Sequence, residues 1–381
     1  MQIASKLPHV GTTIFSIMSK MAADHDAINL SQGFPDYDGP KPLKDLLCHY
    51  TQAGQNQYAP MPGLLSLREQ ISLKIQRLYD HKACPKQEIT VVPGATEALF
   101  CAITATVQPG DEVIIFDPAY DSYGPAVELN GGVPVHIPLL PPAFGIEWNQ
   151  VKDRITPRTR MIIINSPHNP TGTTLQDSDM LNLAEIVRDT KIILLSDEVY
   201  EHLIYDGQKH ATILSYPELA ERAFAVFSFG KTYHVTGWKT GYCIAPASLM
   251  AEFRKVHQFV TFVAVTPIQY ALADYMAEFP DHYLELSGFY QHKRDLFCQL
   301  LADSRFKIIP AKGTYFQLAE YSEIRDINDT MFVEFLTKEV GVAAIPISGF
   351  YKEALATRLV RFCFCKEDAT LIEAARRLCK I

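Results

Sequence analysis

Between residues 88 and 245 the chain repeats one pattern: a short run apolar throughout, a turn, a helical stretch, and then the next run. The runs are Ile89–Val92, Glu112–Asp117, Val133–Ile137, Arg160–Asn165, Ile192–Asp197, Phe224–Ser228 and Tyr242–Ala245. A strand with one face in water alternates apolar and polar residues, whereas a strand apolar on both sides has to be covered on both sides. Helical segments such as 177–189 lie between several of these runs. The pattern therefore predicts an α/β fold with a mainly parallel, seven-stranded sheet and helices on both faces. Ligands of such sheets bind beyond the carboxyl ends of the strands, so the polar residues that terminate the runs become the functional candidates.

After about residue 247 the rhythm changes. Long helical patterns (249–262, 268–278, 282–301) precede short strands (306–309, 314–318, 342–345, 359–365) and a last helix, 367–379. This predicts a smaller α+β domain. At the other end, Ile14, Phe15, Ile17, Met18 and Met21 recur at helical spacing and suit an arm that packs on something else. The expected organisation is an arm and part of the small domain at 1–37, a large domain at 38–278, and the small C-terminal domain at 279–381.

Charge and cysteine usage exclude several function classes. The net charge is −8 and no basic cluster stands out, so neither nucleic acid nor an anionic membrane surface is an expected partner. No run of 18 apolar residues occurs, and the first ten residues lack a basic segment followed by an apolar one. The eight cysteines show no Cys-x2-Cys spacing, which argues against a zinc site or a disulfide framework and for buried free thiols in a reducing cytoplasm.

Polar residues at the run ends carry the chemistry. The run 224–228 delivers Ser228 and Lys231, with Lys239 eight residues further on. Gly230-Lys231-Thr232 alone reads equally as a surface turn; it is no P-loop, because Ala225 stands where the first glycine belongs. Gly94-Ala95-Thr96-Glu97 turns from strand to helix, where the Ala95 and Thr96 amides suit a phosphate, or Thr96 is an ordinary cap. Ser228 and Lys239 would complete a site for a dianion.

Asp197 ends a buried run and needs a partner such as a protonated ring nitrogen, and Tyr200 follows within reach of the same ring. Asp197, Glu198, Glu201 and His202 also form a potential metal cluster, although such oxygen-rich groups more commonly make a solvated face. Asn169 sits in a loop stiffened by Pro167 and Pro170, with a structural His168 beside it. Tyr120 suits stacking on a flat ring, and Arg361, inside an apolar strand, calls for an anionic partner such as a carboxylate. Gly33 marks a turn or a close approach of backbone to a ligand, and Tyr58 is one tyrosine in a loop.

Taken in order, Asn169-Pro-Thr-Gly172, Asp197-Glu-Val-Tyr200, Ser228-Phe-Gly-Lys231, Gly237-Trp-Lys-Thr-Gly241 and Arg361-Phe362 resemble the motif set of the class I aminotransferases of pyridoxal phosphate fold type I. The resemblance spans nearly the whole chain. Within the family the sequence is similar to the methionine aminotransferases and the kynurenine and glutamine transaminases, through Asn29–Asp36, Asn56–Pro60, Ser228–Tyr233 and Val360–Phe364.

The resemblance implies pyridoxal 5'-phosphate as cofactor, joined to Lys231. It implies that Asp197 pairs the ring nitrogen, Asn169 and Tyr200 the ring oxygen, and that Ala95, Thr96, Ser228 and Lys239 hold the phosphate while Tyr120 stacks. Several relatives have arginine where Lys239 stands, which exchanges a fork for a point charge. A homodimer is implied, with Tyr58 reaching the partner subunit's phosphate. Gly33, Asn169 and Arg361 would bind the substrate's α-carboxylate. The expected reaction moves the α-amino group of a neutral apolar, sulfur-containing or aromatic L-amino acid, methionine favoured, to a 2-oxo acid. Rival readings are a cysteine-conjugate β-lyase, a kynurenine-type transaminase, and a regulator that senses the cofactor; the last would need a DNA-binding domain ahead of the arm.

Overall fold

In the computed structural model, which describes residues 4–353 and 355–381, the chain runs through a helix at Ile14–Asp24, strand β1 (Ile28–Asn29) and helices at Lys41–Gln52 and Leu65–Tyr79. The alternating stretch follows as β2 (Ile89–Val92), β3 (Glu112–Asp117), β4 (Val133–Pro138), β5 (Thr159–Asn165), β6 (Ile193–Asp197), β7 (Ala223–Ser228) and β8 (Gly241–Ile244). These seven form one sheet in the order β2-β8-β7-β6-β5-β3-β4, in which β8 alone runs against its neighbours.

The uniformly apolar strands are explained by the two cores they divide between. In β3, Ile114 and Phe116 enter one core while Val113 and Ile115 enter the other; in β5, Ile162 and Ile164 part company with Met161 and Ile163 in the same way. Successive side chains of a strand point to opposite faces, so a sheet sandwiched by helices buries both sets; the edge strand β4 is the exception, with only Ile137 buried. Each fully buried Ile, Val or Leu contributes roughly 1.5–3 kcal/mol relative to exposure.

Helices at Ala247–Val260, Thr266–Glu278 and His282–Leu300 lead to β9 (Lys307–Ile308), β10 (Phe316–Glu320), β11 (Val342–Ala343), β12 (Ile345–Pro346) and β13 (Leu359–Cys363), then the last helix, Asp368–Leu378. A four-stranded antiparallel sheet, β12-β13-β10-β9, is the smaller layer. The arm's β1 pairs in parallel with β11, Ile28 opposite Val342.

Two expectations need correction. The cysteines are free but not uniformly buried: Cys48, on the helix Lys41–Gln52, and Cys379, just past the last helix, are exposed. Nor are Glu198 and Glu201 a solvated face. Both are buried, Glu201 against Lys74 with Tyr79 donating at 2.5 Å, and Glu198 against Ser196, His210 and the Ile213 amide. Lys74 comes from the helix Leu65–Tyr79, so this network clamps the turn after β6 to a neighbouring helix. Among the described residues no helix is long and apolar enough to cross a membrane.

Candidate active site

The carboxyl ends of β2, β3, β5, β6 and β7 open onto a cavity of about 350 Å³. Gly33, Ala95, Thr96, Tyr120, Asn169, Asp197, Tyr200, Ser228, Lys231, Lys239 and Arg361 all line it. Of the residues that the family resemblance assigns to cofactor or substrate, Tyr58 is the one that stands elsewhere, 83% exposed on the surface of its own chain.

One end of the cavity is built to take an anion. Gly94, with φ +86°, is the N-cap of the helix Ala95–Thr106 and has no side chain to satisfy the first amides. Such orphan N–H groups, with the positive end of the helix dipole, favour negative charge. Lys239 completes this end: a Cβ on Gly94 would lie 3.3 Å from its Nζ. Gly241 is held as tightly, since a Cβ there would come 2.5 Å from the Phe227 carbonyl oxygen. The Thr96 and Tyr120 hydroxyls are 3.3 Å apart, placing the Tyr120 ring at the same end. The cap is therefore Gly94, not Thr96.

At the floor, Asp197 Oδ2 accepts from the Tyr123 hydroxyl at 2.7 Å, and Oδ1 from the Val199 amide at 3.4 Å. Burial pushes the Asp197 carboxyl up to about 6, against which the Tyr123 hydrogen bond pulls downward. Asn165 braces the neighbouring loop, donating to the Asp197 carbonyl at 2.8 Å and accepting from the Asn169 amide at 2.8 Å. Ser166–Pro167 and Asn169–Pro170 are both cis. His168 is buried beside Thr171 at 2.7 Å, in keeping with a structural role.

Lys231 sits on the short helix Phe229–Thr232 directly after β7. Its Nζ lies 2.8 Å from the Tyr315 hydroxyl and 3.2 Å from the Gly33 carbonyl, and burial lowers its pKa to about 8.

The opposite wall comes from the small sheet. Arg361 on β13 is 1% exposed, with its guanidinium carbon 3.8 Å from the centre of the Phe316 ring. Nη1 donates to Asn169 Oδ1 at 2.7 Å and Nη2 to the Ser31 carbonyl at 2.9 Å, while buried Nε has no partner. Burial brings its pKa down to about 10. An arginine held this way keeps donor capacity for an anion.

Tyr123, Asn165, Tyr315 and Asp121 belong to this site and were not singled out from sequence, while Phe15 was noted only as an apolar residue of the arm. Asp121 was adjacent to a chosen residue, and Asn165 ended a chosen strand. Nothing local marks Tyr123 or Tyr315.

A doubly covered, mainly parallel sheet with a lysine, a buried carboxylate and an anion cradle at its strand ends, closed by an arginine from a second sheet, is the architecture of an aminotransferase. The chain belongs to this family: residues 25–378 match the model of aminotransferase class I and II. It is 51% identical over 374 residues to the methionine aminotransferase of Escherichia coli (strain K12), covering 98% of this chain and 97% of that one. A crystal structure of an Escherichia coli protein reported to have a methionine aminotransferase function superposes with a TM-score of 0.98 at 50% identity, covering 100% of both chains. The N-succinyldiaminopimelate aminotransferase of Mycobacterium tuberculosis follows the same fold with a TM-score of 0.96 at 37% identity, again over 100% of both chains. The seven-stranded sheet and the aminotransferase class expected from sequence are thus both found.

Proposed function

We propose that this aminotransferase binds pyridoxal 5'-phosphate in the cavity and transfers the α-amino group of a neutral L-amino acid, methionine foremost, to a 2-oxo acid. The observation that carries the reading is the convergence of Lys231, Asp197 and Arg361 on one cavity. The 51% identity to a methionine aminotransferase supports the choice of substrate.

The donor set fits the cofactor. The Ala95 and Thr96 amides, the Ser228 hydroxyl and Lys239 would hold its phosphate, a dianion matched to a helix N-terminus and a cation. Asp197 would accept from the protonated ring nitrogen, Asn169 and Tyr200 would face the ring oxygen, and Tyr120 would stack. When bound, the cofactor supplies the electron sink that allows a bond at the substrate's α-carbon to break.

The chain's own residues select that bond and move the proton. Arg361, Asn169 and the Gly33 backbone would fix the α-carboxylate, which orients the α-carbon toward Lys231. Lys231 would attach the cofactor and, once replaced by the substrate amine, carry the α-proton. That task needs an uncharged amine, and a group titrating near 8 is uncharged about half the time at that pH. The burial that lowers its pKa thus suits it to the work.

The walls favour a side chain without a second charge. Phe15 and Phe316 are apolar neighbours of Arg361. Among the described residues, the basic groups lining the cavity are Lys231, Lys239 and Arg361, so no second arginine awaits a distal carboxylate. Asp121 adds a carboxylate to the wall.

The same reading includes a homodimer in which Tyr58 reaches the partner subunit's phosphate. Tyr58 packs edge-on to Phe262 at 5.5 Å, and Phe259, three residues before Phe262 in the chain, is 85% exposed; exposed aromatic rings of this kind are expected of an interface. The pairing of β1 with β11 supports counting the arm (1–37) with the small domain (279–381), on either side of a large domain at 38–278.

A panel of amino donors, mixed one at a time with the loaded enzyme and followed by the cofactor's absorbance, tests the proposal. Methionine should convert the spectrum faster than aspartate or glutamate; if no neutral amino acid does so, the reading is wrong.

A further inference from the structure

Tyr315 has no part in the roles assigned above, yet its hydroxyl meets the reactive amine. It lies 2.8 Å from Lys231 Nζ and 2.6 Å from the Gly33 carbonyl oxygen, on a residue 1% exposed. A carbonyl only accepts, so the single phenolic proton goes to Gly33 and a phenolic lone pair faces Lys231. Lys231 donates to that lone pair and, at 3.2 Å, to the Gly33 carbonyl as well. An uncharged amine has two N–H bonds and one lone pair. With both N–H bonds engaged, the lone pair is left for the cavity that Lys231 lines.

We infer that Tyr315 is a positioning residue: with the Gly33 carbonyl it anchors both N–H bonds of the free Lys231 amine and so aims the lone pair at the site where the α-proton is taken. This rests on the proposed function for its chemical meaning.

The surroundings hold the anchor in place. The Tyr315 ring is packed edge-on against Tyr200 at 5.1 Å and Phe316 at 4.9 Å, and its carbonyl accepts from the Phe364 amide at 2.9 Å. Gly33 approaches so closely that a Cβ would lie 2.8 Å from Phe316 Cζ and 3.4 Å from the Tyr315 ring, so a larger residue would push the carbonyl away. Burial holds the phenol well above its ordinary pKa, which keeps it a donor to Gly33 and no rival base.

Tyr315→Phe keeps the ring and removes the hydroxyl. In cofactor-free protein, trace acylation of Lys231 by acetic anhydride across pH 6–10, read by peptide mass, gives the titration midpoint. Loss of an acceptor disfavours the ammonium form, so the midpoint should fall below that of the parent. In the loaded enzyme, kcat should fall tenfold or more with KM for methionine within threefold, and the isotope effect with α-deuterated methionine should rise. Tyr290→Phe removes another buried hydroxyl from the same aromatic cluster and should leave the Lys231 midpoint where it is. An unchanged midpoint in Tyr315→Phe overturns the inference, as does an equal shift in Tyr290→Phe. If the parent reacts with no amino donor, the proposed function fails, while the acylation comparison still decides the anchoring.

Discussion

The Tyr123 hydroxyl donates to Asp197 across 2.7 Å, and both residues are buried, 3% and 4% exposed. The bond satisfies one carboxylate oxygen at the end of β6 without neutralising it, so burial still raises the pKa from 3.8 to about 6. Because the native pKa lies above the unfolded one, the folded chain binds more protons between those values, and stability falls as pH rises through them. Asp197→Asn removes that penalty. In cofactor-free protein it should add about 2–3 kcal/mol at pH 7.5, from a shift of about two pKa units at about 1.4 kcal/mol each, and little at pH 4. Urea denaturation at the two pH values checks this; transaminase activity should be lost in the same variant.

Arg361 predicts a substrate-binding defect. Removing one member of a buried, hydrogen-bonded charge pair typically costs 2–5 kcal/mol, or about 30-fold to several-thousand-fold in affinity. Arg361→Ala should raise the Kd for methionine by an amount in that range, measured by half-reaction spectra, with cofactor retention little changed. Arg361→Lys should recover only part, since an ammonium cannot reach Asn169, Ser31 and a carboxylate with one planar fork.

Asp121 bears on selectivity. A carboxylate on the cavity wall opposes a second carboxylate on the substrate, and like charges brought together cost several kcal/mol. Asp121→Asn should raise kcat/KM for glutamate relative to methionine by about tenfold, equivalent to about 1.4 kcal/mol. Competition between the two donors, read by product analysis, gives the ratio directly; an unchanged ratio removes Asp121 from the account of specificity.

The surface aromatics predict assembly. Sedimentation should show a dimer, and Phe259→Glu, placing charge where an 85%-exposed ring now stands, should shift it toward monomer. If Tyr58 completes a partner's phosphate site, cofactor affinity should fall in the same variant, which fluorescence titration measures.

Much of this architecture was legible because buried strands announce themselves. A polar residue that ends a run such as Leu194–Leu195–Ser196 has few explanations, and Asp197 and Ser228 are found this way. Arg361 was visible for the same reason, as a charge inside an apolar strand. The remaining groups depend on tertiary approach. Tyr123 meets Asp197 across 74 positions and Tyr315 meets Lys231 across 84, and no periodicity encodes such distances. Glu201 was read as part of a solvated face, since an acid near other acids looks solvated until Lys74, 127 residues away, brings a buried cation.

The hydrogen bond from Arg361 to Asn169 joins side chains carried by two different sheets, β13 of the four-stranded one and the loop after β5 of the seven-stranded one. A ligand's carboxylate bound by both would act as a rivet between the two halves of the molecule, so recognition of the most generic part of an amino acid would also set how tightly the enzyme shuts. Simple amines, which lack that group, should be poor donors even when their side chains fit, because they leave the jaws unfastened.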